Sequence, residues 1–404
     1  MKTTLLFLLC FITASATTLA QAIHWERLPE YLGGTHVSFA INDTYLFTGS
    51  WEKGVMRTSD KGESWEEVNE GLPNIKPINN DYRITSILIH VGKLFAGTDS
   101  GKVYRSSDNG DTWVEVSKGL PRYGIRALGS IENVLLAGTL GGGIYKSTDN
   151  GESWIPSNKG LTIKDPADSL IFTFATKDST IIVGTQHDGI FRSTDKGETW
   201  TSQFEISPPI TQLTANSTTF YAGSHFYGAY RSVDDGITWD EINEGLPSDG
   251  MVEAIFATET NVFLGLQPSG DKGVFHSVTN GDKWTADEEL TNIYANNFTA
   301  IGKTIFAWTT SGLYRGEIPV GLEEATLLSM HITPNPSSEY FSVRYDGIGT
   351  VALRDILGIL RSPVISINNS EARIPIGNAP SGVYFVEIRD NNGSYSMTKV
   401  MVNH

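Results

Sequence analysis

One pattern recurs along most of this sequence and restricts the folds that it can adopt. A short apolar strand that ends in small residues occurs seven times, as in residues 94–98 (LFAGT) and 135–139 (LLAGT). Each copy follows an alternating apolar run, such as residues 84–90 (ITSILIH), and leads into another strand with a bulky residue, such as Tyr145. Each unit is therefore predicted to form four short strands separated by Gly, Asn, Asp or Ser turns. Repeated four-stranded units favour a β-propeller, because a helical solenoid would show a 3.6-residue period.

Six of the seven units continue into a turn of the form S/T-x-D-x-G-x-x-W, which we call the box turn. Its tryptophan recurs every 39 to 48 residues, at Trp65, Trp113, Trp154, Trp200, Trp239 and Trp284. Its aspartate stands at Asp60, Asp108, Asp149, Asp195 and Asp234, and Thr279 replaces it in the sixth copy. The carboxylate is expected to accept N–H bonds within its own turn, and the tryptophan to fill an apolar site. Because the D-x-D-x-D ladder of calcium loops is missing, the turns are interpreted as scaffold and not as calcium sites.

The two ends of the repeat are complementary. The seventh unit stops at Gly316, without a box turn or a fourth strand. Trp25 lies 40 residues before Trp65 and is followed by the same kind of segment as the other tryptophans. The first strand is therefore predicted to complete the last unit, which would leave the ring without a free edge. On this interpretation residues 23–316 form a seven-bladed β-propeller.

The repeat resembles the Asp-box, or BNR, repeat of sialidases, sortilin-type receptors, a photosystem assembly factor and some glycoside hydrolases. The resemblance rests on the six box turns and covers residues 24–316. It implies a propeller in which each box turn joins the third and fourth strands, on the face away from the ligand. It implies little about function, because propellers host many activities.

Both ends of the chain indicate export. Residues 1–22 combine Lys2 with a short apolar run and a small-residue end, which predicts a secretory signal peptide. Residues 317–328 are interpreted as a linker. Residues 329–404, with a P-N-P turn, a D-x-x-G turn at Asp355 and a G-x-Y strand at 382–384, resemble the type A sorting domain of the type IX secretion system of Bacteroidetes. The resemblance implies recognition by the type IX machinery and a product that is released or attached to the outer surface.

The predicted fold class is therefore all-β, a seven-bladed β-propeller followed by a small Ig-like β-sandwich. A net charge of −16 argues against a nucleic-acid partner, whose phosphates require a basic surface. No apolar stretch after residue 22 approaches the length of a membrane span. The only cysteine, Cys10, lies in the signal segment, and no phosphate loop, nucleophile elbow or H-E-x-x-H motif is present. We expect a monomer without metal or cofactor.

Candidate ligand-binding residues follow from the propeller geometry. If the box turns lie on one face, the loops after the G-T strands lie on the other. These loops and the neighbouring entries carry Trp51, Tyr123, His187, His225, Phe226 and Tyr227. The aromatic rings suit stacking on sugar rings or peptide side chains, although packing against neighbouring loops is the alternative. The two histidines lack a third partner nearby, so hydrogen bonding is favoured over metal binding.

The catalytic alternatives rest on weaker patterns. A sialidase needs three arginines, but only Arg83 and Arg126 lie near the starts of innermost strands, with Glu253 and Tyr294 near two others. Asp165 and Asp188 offer the carboxylate pair of a glycoside hydrolase. The favoured hypothesis is a secreted, non-catalytic propeller that binds an extracellular glycan or protein. A glycoside hydrolase or lyase acting on an extracellular polysaccharide remains open, and sialidase activity is disfavoured.

Overall fold

The structure, a computed structural model, describes residues 23–29, 36–73, 83–161, 170–204, 209–248, 250–267, 273–290, 293–318, 330–333, 337, 339–355, 360–377, 379–390 and 395–403. The chain divides into two compact units, Met1–Pro319 and Val320–His404. Strands and turns account for all of the regular structure in the described ranges, so the fold is all-β. Within those ranges no helix has the length and apolarity to cross a membrane. The predicted signal peptide and Asp165 lie outside the described residues.

The described residues of the first unit form seven four-stranded antiparallel sheets. Sheet 1 comprises β2 (His36–Ile41), β3 (Leu46–Ser50), β4 (Gly54–Thr58) and β5 (Glu66–Glu67). Sheet 2 comprises β6 (Ile84–His90), β7 (Lys93–Thr98), β8 (Val103–Ser106) and β9 (Val114–Glu115). Sheet 3 comprises β10 (Ile125–Ile131), β11 (Val134–Thr139), β12 (Ile144–Ser147) and β13 (Ile155–Pro156). Sheet 4 comprises β14 (Ile171–Lys177), β15 (Thr180–Thr185), β16 (Ile190–Ser193) and β17 (Thr201–Phe204). Sheet 5 comprises β18 (Ile210–Ala215), β19 (Phe220–Ser224), β20 (Gly228–Ser232) and β21 (Asp240–Glu241). Sheet 6 comprises β22 (Met251–Ala257), β23 (Val262–Gln267), β24 (Val274–Ser277) and β25 (Thr285–Ala286). Sheet 7 comprises β26 (Ala295–Ile301), β27 (Thr304–Thr309), β28 (Gly312–Glu317) and β1 (Trp25–Arg27).

The G-T strands are the second strands of the sheets, and their composition follows from burial on both faces. Every residue of β11 and β15 is buried, which explains the continuous apolar run instead of an alternating one. The glycine near the end of six of the seven runs permits close approach of the next sheet, and Trp308 takes its place in the seventh. A Cβ added at Gly97 would lie 2.7 Å from Ile125 Cγ2, the first residue of β10. The repeated glycine is thus a packing requirement between neighbouring sheets.

The sheets follow one another around a closed succession. The first strands of consecutive sheets contact each other from β2 through β6, β10, β14, β18 and β22 to β26, and β26 contacts β2. β1 pairs with β28 in the register Trp25↔Gly316 and Arg27↔Tyr314. The prediction that the first strand completes the last sheet is confirmed. The described residues therefore form a propeller-like fold.

Two carboxylates outside the seventh sheet hold its N-terminal strand. Trp25 Nε1 donates to Asp287 Oδ2 at 2.7 Å, and the Trp25 amide donates to Glu289 Oε2 at 2.9 Å. Asp287 follows the short strand β25 of sheet 6, so the closing strand is bonded to two sheets. The closure thus depends on side chains as well as on the backbone ladder.

The second unit is one five-stranded sheet: β29 (Met330–Thr333), β30 (Tyr340–Asp355), β31 (Ile365–Pro375), β32 (Gly382–Asp390) and β33 (Tyr395–Val402). β31 pairs along both halves of β30, with a register shift between Tyr345 and Ile348. β29 pairs with the first half of β30 and β32 with the second half. Phe341, Val351 and Val386 belong to its buried apolar cluster. The Ig-like sandwich remains a prediction, and the P-N-P turn lies outside the described residues.

Candidate ligand-binding face

The two ends of the sheets in the first unit differ in what they carry. In antiparallel sheets the loop between the second and third strands lies at the same end as the start of the first strand. Backbone hydrogen bonds between these loops and the residues that precede the first strands confirm that the two lie together. Leu140 N donates to Gly124 O at 2.9 Å, and His225 N donates to Pro209 O at 3.1 Å. We call this end of the sheets the mouth. The box turns join third and fourth strands at the opposite end, which we call the boxed face.

Each aspartate of the boxed face is bonded within its own turn. Asp108 Oδ1 accepts from the Thr112 amide at 2.9 Å, and Asp108 Oδ2 accepts from the Thr112 hydroxyl at 2.6 Å. Ser106 Oγ donates to the same carboxylate at 2.7 Å and accepts from the Gly110 amide at 2.8 Å. Bonds from the Thr112 hydroxyl, the Thr112 amide and Ser106 lower the pKa of Asp108 to about 2. The same carboxylate bonds occur at Asp60, Asp149, Asp195 and Asp234. The carboxylates are therefore occupied by their own turns.

The box tryptophans join neighbouring sheets. Trp113 Nε1 donates to Val68 O at 2.8 Å, and Trp154 Nε1 donates to Val116 O at 2.8 Å, in each case to the preceding sheet. Trp200 and Trp284 make the equivalent bond. Trp65 differs, because its Nε1 donates to Gly62 O of its own turn at 3.2 Å. Trp239 is buried with an unpartnered Nε1 among the described residues.

A ring of cations on the third strands adds a second set of links that the sequence analysis missed. Arg105 Nη1 of sheet 2 donates to Asn150 O at 2.9 Å and lies 2.7 Å from Glu152 Oε1, both in the box turn of sheet 3. Corresponding bonds to the next box turn come from Arg57, Lys146, Arg192, Arg231 and Arg315. In sheet 6 the position is His276, which faces a seventh sheet without a box turn. The sequence signal was a basic residue directly before the Ser or Thr of the box.

The mouth carries exposed aromatic rings. Tyr123, Phe226 and Tyr227 are 50%, 61% and 53% exposed, and they are the only exposed aromatic side chains that the structure describes. The Tyr123 ring lies along a glycine loop, since a Cβ added at Gly142 would be 3.1 Å from it. Phe226 packs edge-to-face on His225, with ring centres 4.7 Å apart. These predicted residues are therefore presented to solvent by two loops of the mouth.

Trp51 has a different environment from the other candidates. The Arg83 guanidinium lies 4.8 Å from the centre of the Trp51 ring, and the indole N–H is buried without a partner among the described residues. Arg83 is itself held to the neighbouring loop, because its amide donates to Asp99 Oδ1 at 3.0 Å. Trp51 thus packs within the mouth and is only partly accessible.

The remaining polar candidates are His187, His225 and the two aspartates. His187 is exposed, and His225 Nδ1 lies 3.6 Å from Glu253 Oε1. The described ranges contain no group of three or more potential metal ligands. Asp188 is half-buried, and its amide donates to Thr185 Oγ1 at 3.0 Å. Its proposed partner Asp165 lies outside the described residues, so the carboxylate pair stays a prediction.

A second ring of residues lies at the start of the innermost strands. In six sheets the pairing register shifts between the first and third residues of that strand, and in sheet 6 it shifts between the second and fourth, so the residue between them has no ladder partner. We call these seven the bulge residues: Val37, Thr85, Arg126, Phe172, Thr211, Glu253 and Asn296. The sequence analysis noted two of them, Arg126 and Glu253, only as parts of a sialidase site. The register shift that makes them equivalent has no residue signature.

Three ionisable residues, Arg126, Glu253 and His225, lie at or beside the bulge positions. The Arg126 guanidinium lies 5.4 Å from the centre of the Phe172 ring. Burial raises the pKa of Glu253, while the charges of His225 and Arg126 lower it. Burial lowers the pKa of Arg126, while the charge of Glu253 raises it. Arg126 and Glu253 thus lie at equivalent positions of sheets 3 and 6, and Glu253 lies beside His225.

Two parts of the sequence match known domain families. Residues 24–168 match the DUF6242 beta propeller domain, and residues 331–403 match the secretion system C-terminal sorting domain. The chain thus combines a β-propeller domain with a type IX sorting domain, which implies export to the cell surface or the extracellular space. No curated protein matches the sequence.

Several solved structures share the fold at low sequence identity. YCF48 bound to D1 peptide is 15% identical with a TM-score of 0.57, over 74% of this chain and 97% of that chain. The GH74 enzyme of Niastella koreensis is 14% identical with a TM-score of 0.58, over 95% and 74%. The extracellular domain of BT4673 from B. thetaiotaomicron is 12% identical with a TM-score of 0.56, over 96% and 60%. At these identities the likeness shows the fold alone.

Proposed function

We propose that this chain is a secreted, non-catalytic, seven-bladed Asp-box propeller that binds an extracellular glycan or protein through its mouth. Residues 1–22 serve as signal peptide, 23–316 as propeller, 317–328 as linker and 329–404 as an Ig-like sorting domain. The matched sorting domain supports export, and the seven closed sheets support the blade number. The mature protein acts as a monomer at the outer surface or in the medium.

The distribution of exposed aromatic side chains carries this proposal. Tyr123, Phe226 and Tyr227 all lie at the mouth, while the exposed apolar residues of the fourth strands and box turns are single aliphatic ones such as Val114 and Ile155. Loops on a rigid scaffold commonly carry binding residues, and exposed aromatic rings are frequent anchors for sugars and peptides. A similar fold binds a peptide in the YCF48 structure, which supports a protein ligand.

The proposal is tested by capture on a glycan array and from surface-protein extracts with the full chain. We expect Tyr123→Ala and the double variant Phe226→Ala/Tyr227→Ala to lose at least tenfold in captured ligand. Ile155→Ala is the matched control, because it removes an equally exposed apolar side chain on an outer strand. Equal capture by all variants, or no capture by the natural chain, would contradict the proposal.

One observation favours a second candidate, a glycoside hydrolase or lyase. The half-buried Asp188 lies in a mouth loop, and its carboxylate has no hydrogen bond or ion pair among the described residues. A free carboxylate suits general acid or base chemistry on a glycosidic bond. Turnover of labelled oligosaccharides that is abolished by Asp188→Asn or Asp165→Asn, and kept by Asp178→Asn at the other end of sheet 4, would establish it.

A further inference from the structure

Arg126 is a charged residue of the mouth whose side chain lacks a polar partner among the described residues. Its guanidinium is half-buried and lies over Phe172, yet among the described residues it has no hydrogen-bond or ion-pair partner. A guanidinium carries five N–H donors, and withdrawing them from water without acceptors is costly. A position of this kind is therefore prepared for an acceptor that comes from outside the chain.

Other bulge residues show that the position itself does not require an external partner. The Thr211 hydroxyl donates to Gly223 O at 3.1 Å in its own sheet and to Val252 O at 2.7 Å in the next sheet. Thr85 makes the same two bonds, to Gly97 O and Ile125 O. The threonine hydroxyls thus bond to carbonyl groups of their own sheet and of the next sheet, whereas the N–H donors of Arg126 have no acceptor among the described residues. The difference lies in the residue and not in the backbone.

Glu253 supplies the opposite charge at the equivalent position of sheet 6. Its side chain is 30% exposed, and its nearest charged neighbour is His225, with Nδ1 3.6 Å from Oε1. Arg126 and Glu253 occupy equivalent bulge positions of sheets 3 and 6 and form no ion pair with each other. Because the two opposite charges do not pair with each other, each remains available to a charged group of a bound molecule.

We propose that the mouth binds a small zwitterion, a free amino acid or a short peptide with free termini. The carboxylate of the zwitterion accepts N–H bonds from Arg126, and its ammonium group donates to Glu253. The proposal rests on the proposed function, because it names the chemistry of a ligand at the same mouth. Phe172 forms the wall behind the carboxylate, and Phe226 packs on the histidine that neighbours Glu253.

A zwitterion fits the charges better than a simple ion does. An anionic ligand at Arg126 would meet Glu253 nearby and a chain with a net charge of −16. A cationic ligand at Glu253 would meet both Arg126 and His225. Only a ligand with both charges satisfies the two groups together, and charge-assisted hydrogen bonds are the strong ones.

The test is isothermal titration calorimetry of the secreted full chain with probes of increasing charge separation. Glycine, β-alanine, γ-aminobutyrate, ε-aminocaproate and triglycine vary the distance between carboxylate and ammonium, and triglycine tests a peptide against free amino acids. Butyrate and butylamine each lack one charge. We expect one separation to bind best, and both single-charge probes to bind at least tenfold more weakly. Butyrate binding as tightly as the best amino acid, or no binding of any zwitterion, would overturn the proposal.

Matched variants assign the charges to residues. Arg126→Gln and Glu253→Gln are each expected to weaken the best zwitterion at least tenfold. Arg122→Gln removes an exposed arginine of the same region, and Glu259→Gln removes a glutamate at the other end of sheet 6. Both controls should stay within twofold. Unchanged affinity of Arg126→Gln, or an equal loss in Arg122→Gln, would contradict the assignment.

The same variants separate this inference from the proposed function. If Arg126→Gln still captures the extracellular glycan or protein while no zwitterion binds, the mouth is a binding face without a zwitterion site. If the natural chain binds a zwitterion but captures neither a glycan nor a protein, the small-ligand site stands and the macromolecular function fails. Unchanged thermal unfolding of Arg126→Gln would show that a lost signal reflects the site and not the fold.

Discussion

The boxed face and the mouth are built by the same seven sheets, yet they use their polar groups in opposite ways. On the boxed face Asp108 is bonded to its own turn and Arg105 to the next turn. At the mouth Arg126 has no hydrogen-bond or ion-pair partner among the described residues, and three aromatic rings are exposed. The repeated residues are those that satisfy each other, and the residues that vary between units are those left open. In this chain repetition indicates scaffold, and departure from the repeat indicates a candidate site.

The largest expected effect concerns the boxed face. Trp200 is 2% exposed, packs in the cluster of sheets 3 and 4, and donates to Ser157 O at 2.7 Å. Trp200→Ala is expected to lower the free energy of unfolding by about 3–5 kcal/mol, as for other buried tryptophans. Guanidinium denaturation measures it. Trp65→Ala is the control, because the half-buried Trp65 bonds only within its own turn, and an equal loss there would refute the role of inter-sheet bonding.

The cation ring should contribute less. Arg105→Met removes a bond to the Asn150 carbonyl and an ion pair to the exposed Glu152, so we expect a loss of about 1 kcal/mol. Lys102→Met is the matched control, since Lys102 Nζ lies 2.8 Å from Glu115 Oε2 of the same sheet and the two side chains are 40% and 44% exposed. Denaturation midpoints of the two variants give the comparison. A loss as large in Lys102→Met would mean that the link between sheets adds nothing.

The boxed carboxylates should make stability depend on acid pH. The folded pKa of Asp108 is about 2, below its ordinary value of 3.8. Its contribution is therefore complete above about pH 4 and is lost as the pH falls towards 2. Asp60 and Asp234 act in the same sense, so the denaturation midpoint should fall across this window.

Replacing one box aspartate by threonine, which stands at that position in the sixth turn, isolates the contribution of that aspartate to the pH dependence of stability. Asp108→Thr is expected to reduce the fall in the midpoint between pH 4 and pH 2. Thr279→Ala is the control, because Thr279 accepts from the Lys283 amide at 3.1 Å without an ionisable group, and its loss should be the same at every pH. An unchanged pH profile in Asp108→Thr would show that the box carboxylates do not carry the acid sensitivity.

The sequence predicted what depends on local pattern and missed what depends on contacts between units. The strand repeat, the closure by Trp25 and the intraturn bonds of Asp108 follow from residue types at short, fixed spacing. The Arg105 link requires the next turn, about one repeat away, to present its carbonyl. The exposure of Arg126 requires a one-residue register shift. Trp51 was predicted either to stack on a ligand or to pack against a neighbouring loop, and no motif marks the place of Arg83 4.8 Å from the centre of its ring.

The smallest expected effect on stability is at the mouth, and it is the sharpest test of the comparison. Phe226 and Tyr227 are more than half exposed, so Phe226→Ala/Tyr227→Ala should change the free energy of unfolding by about 0.5 kcal/mol or less. Thermal and guanidinium unfolding measure it beside the capture assay. A residue that serves the scaffold loses stability and binding together, whereas a residue kept for a ligand loses binding alone. A large loss of stability in this variant would place the mouth aromatics with the scaffold and remove the contrast between the two faces.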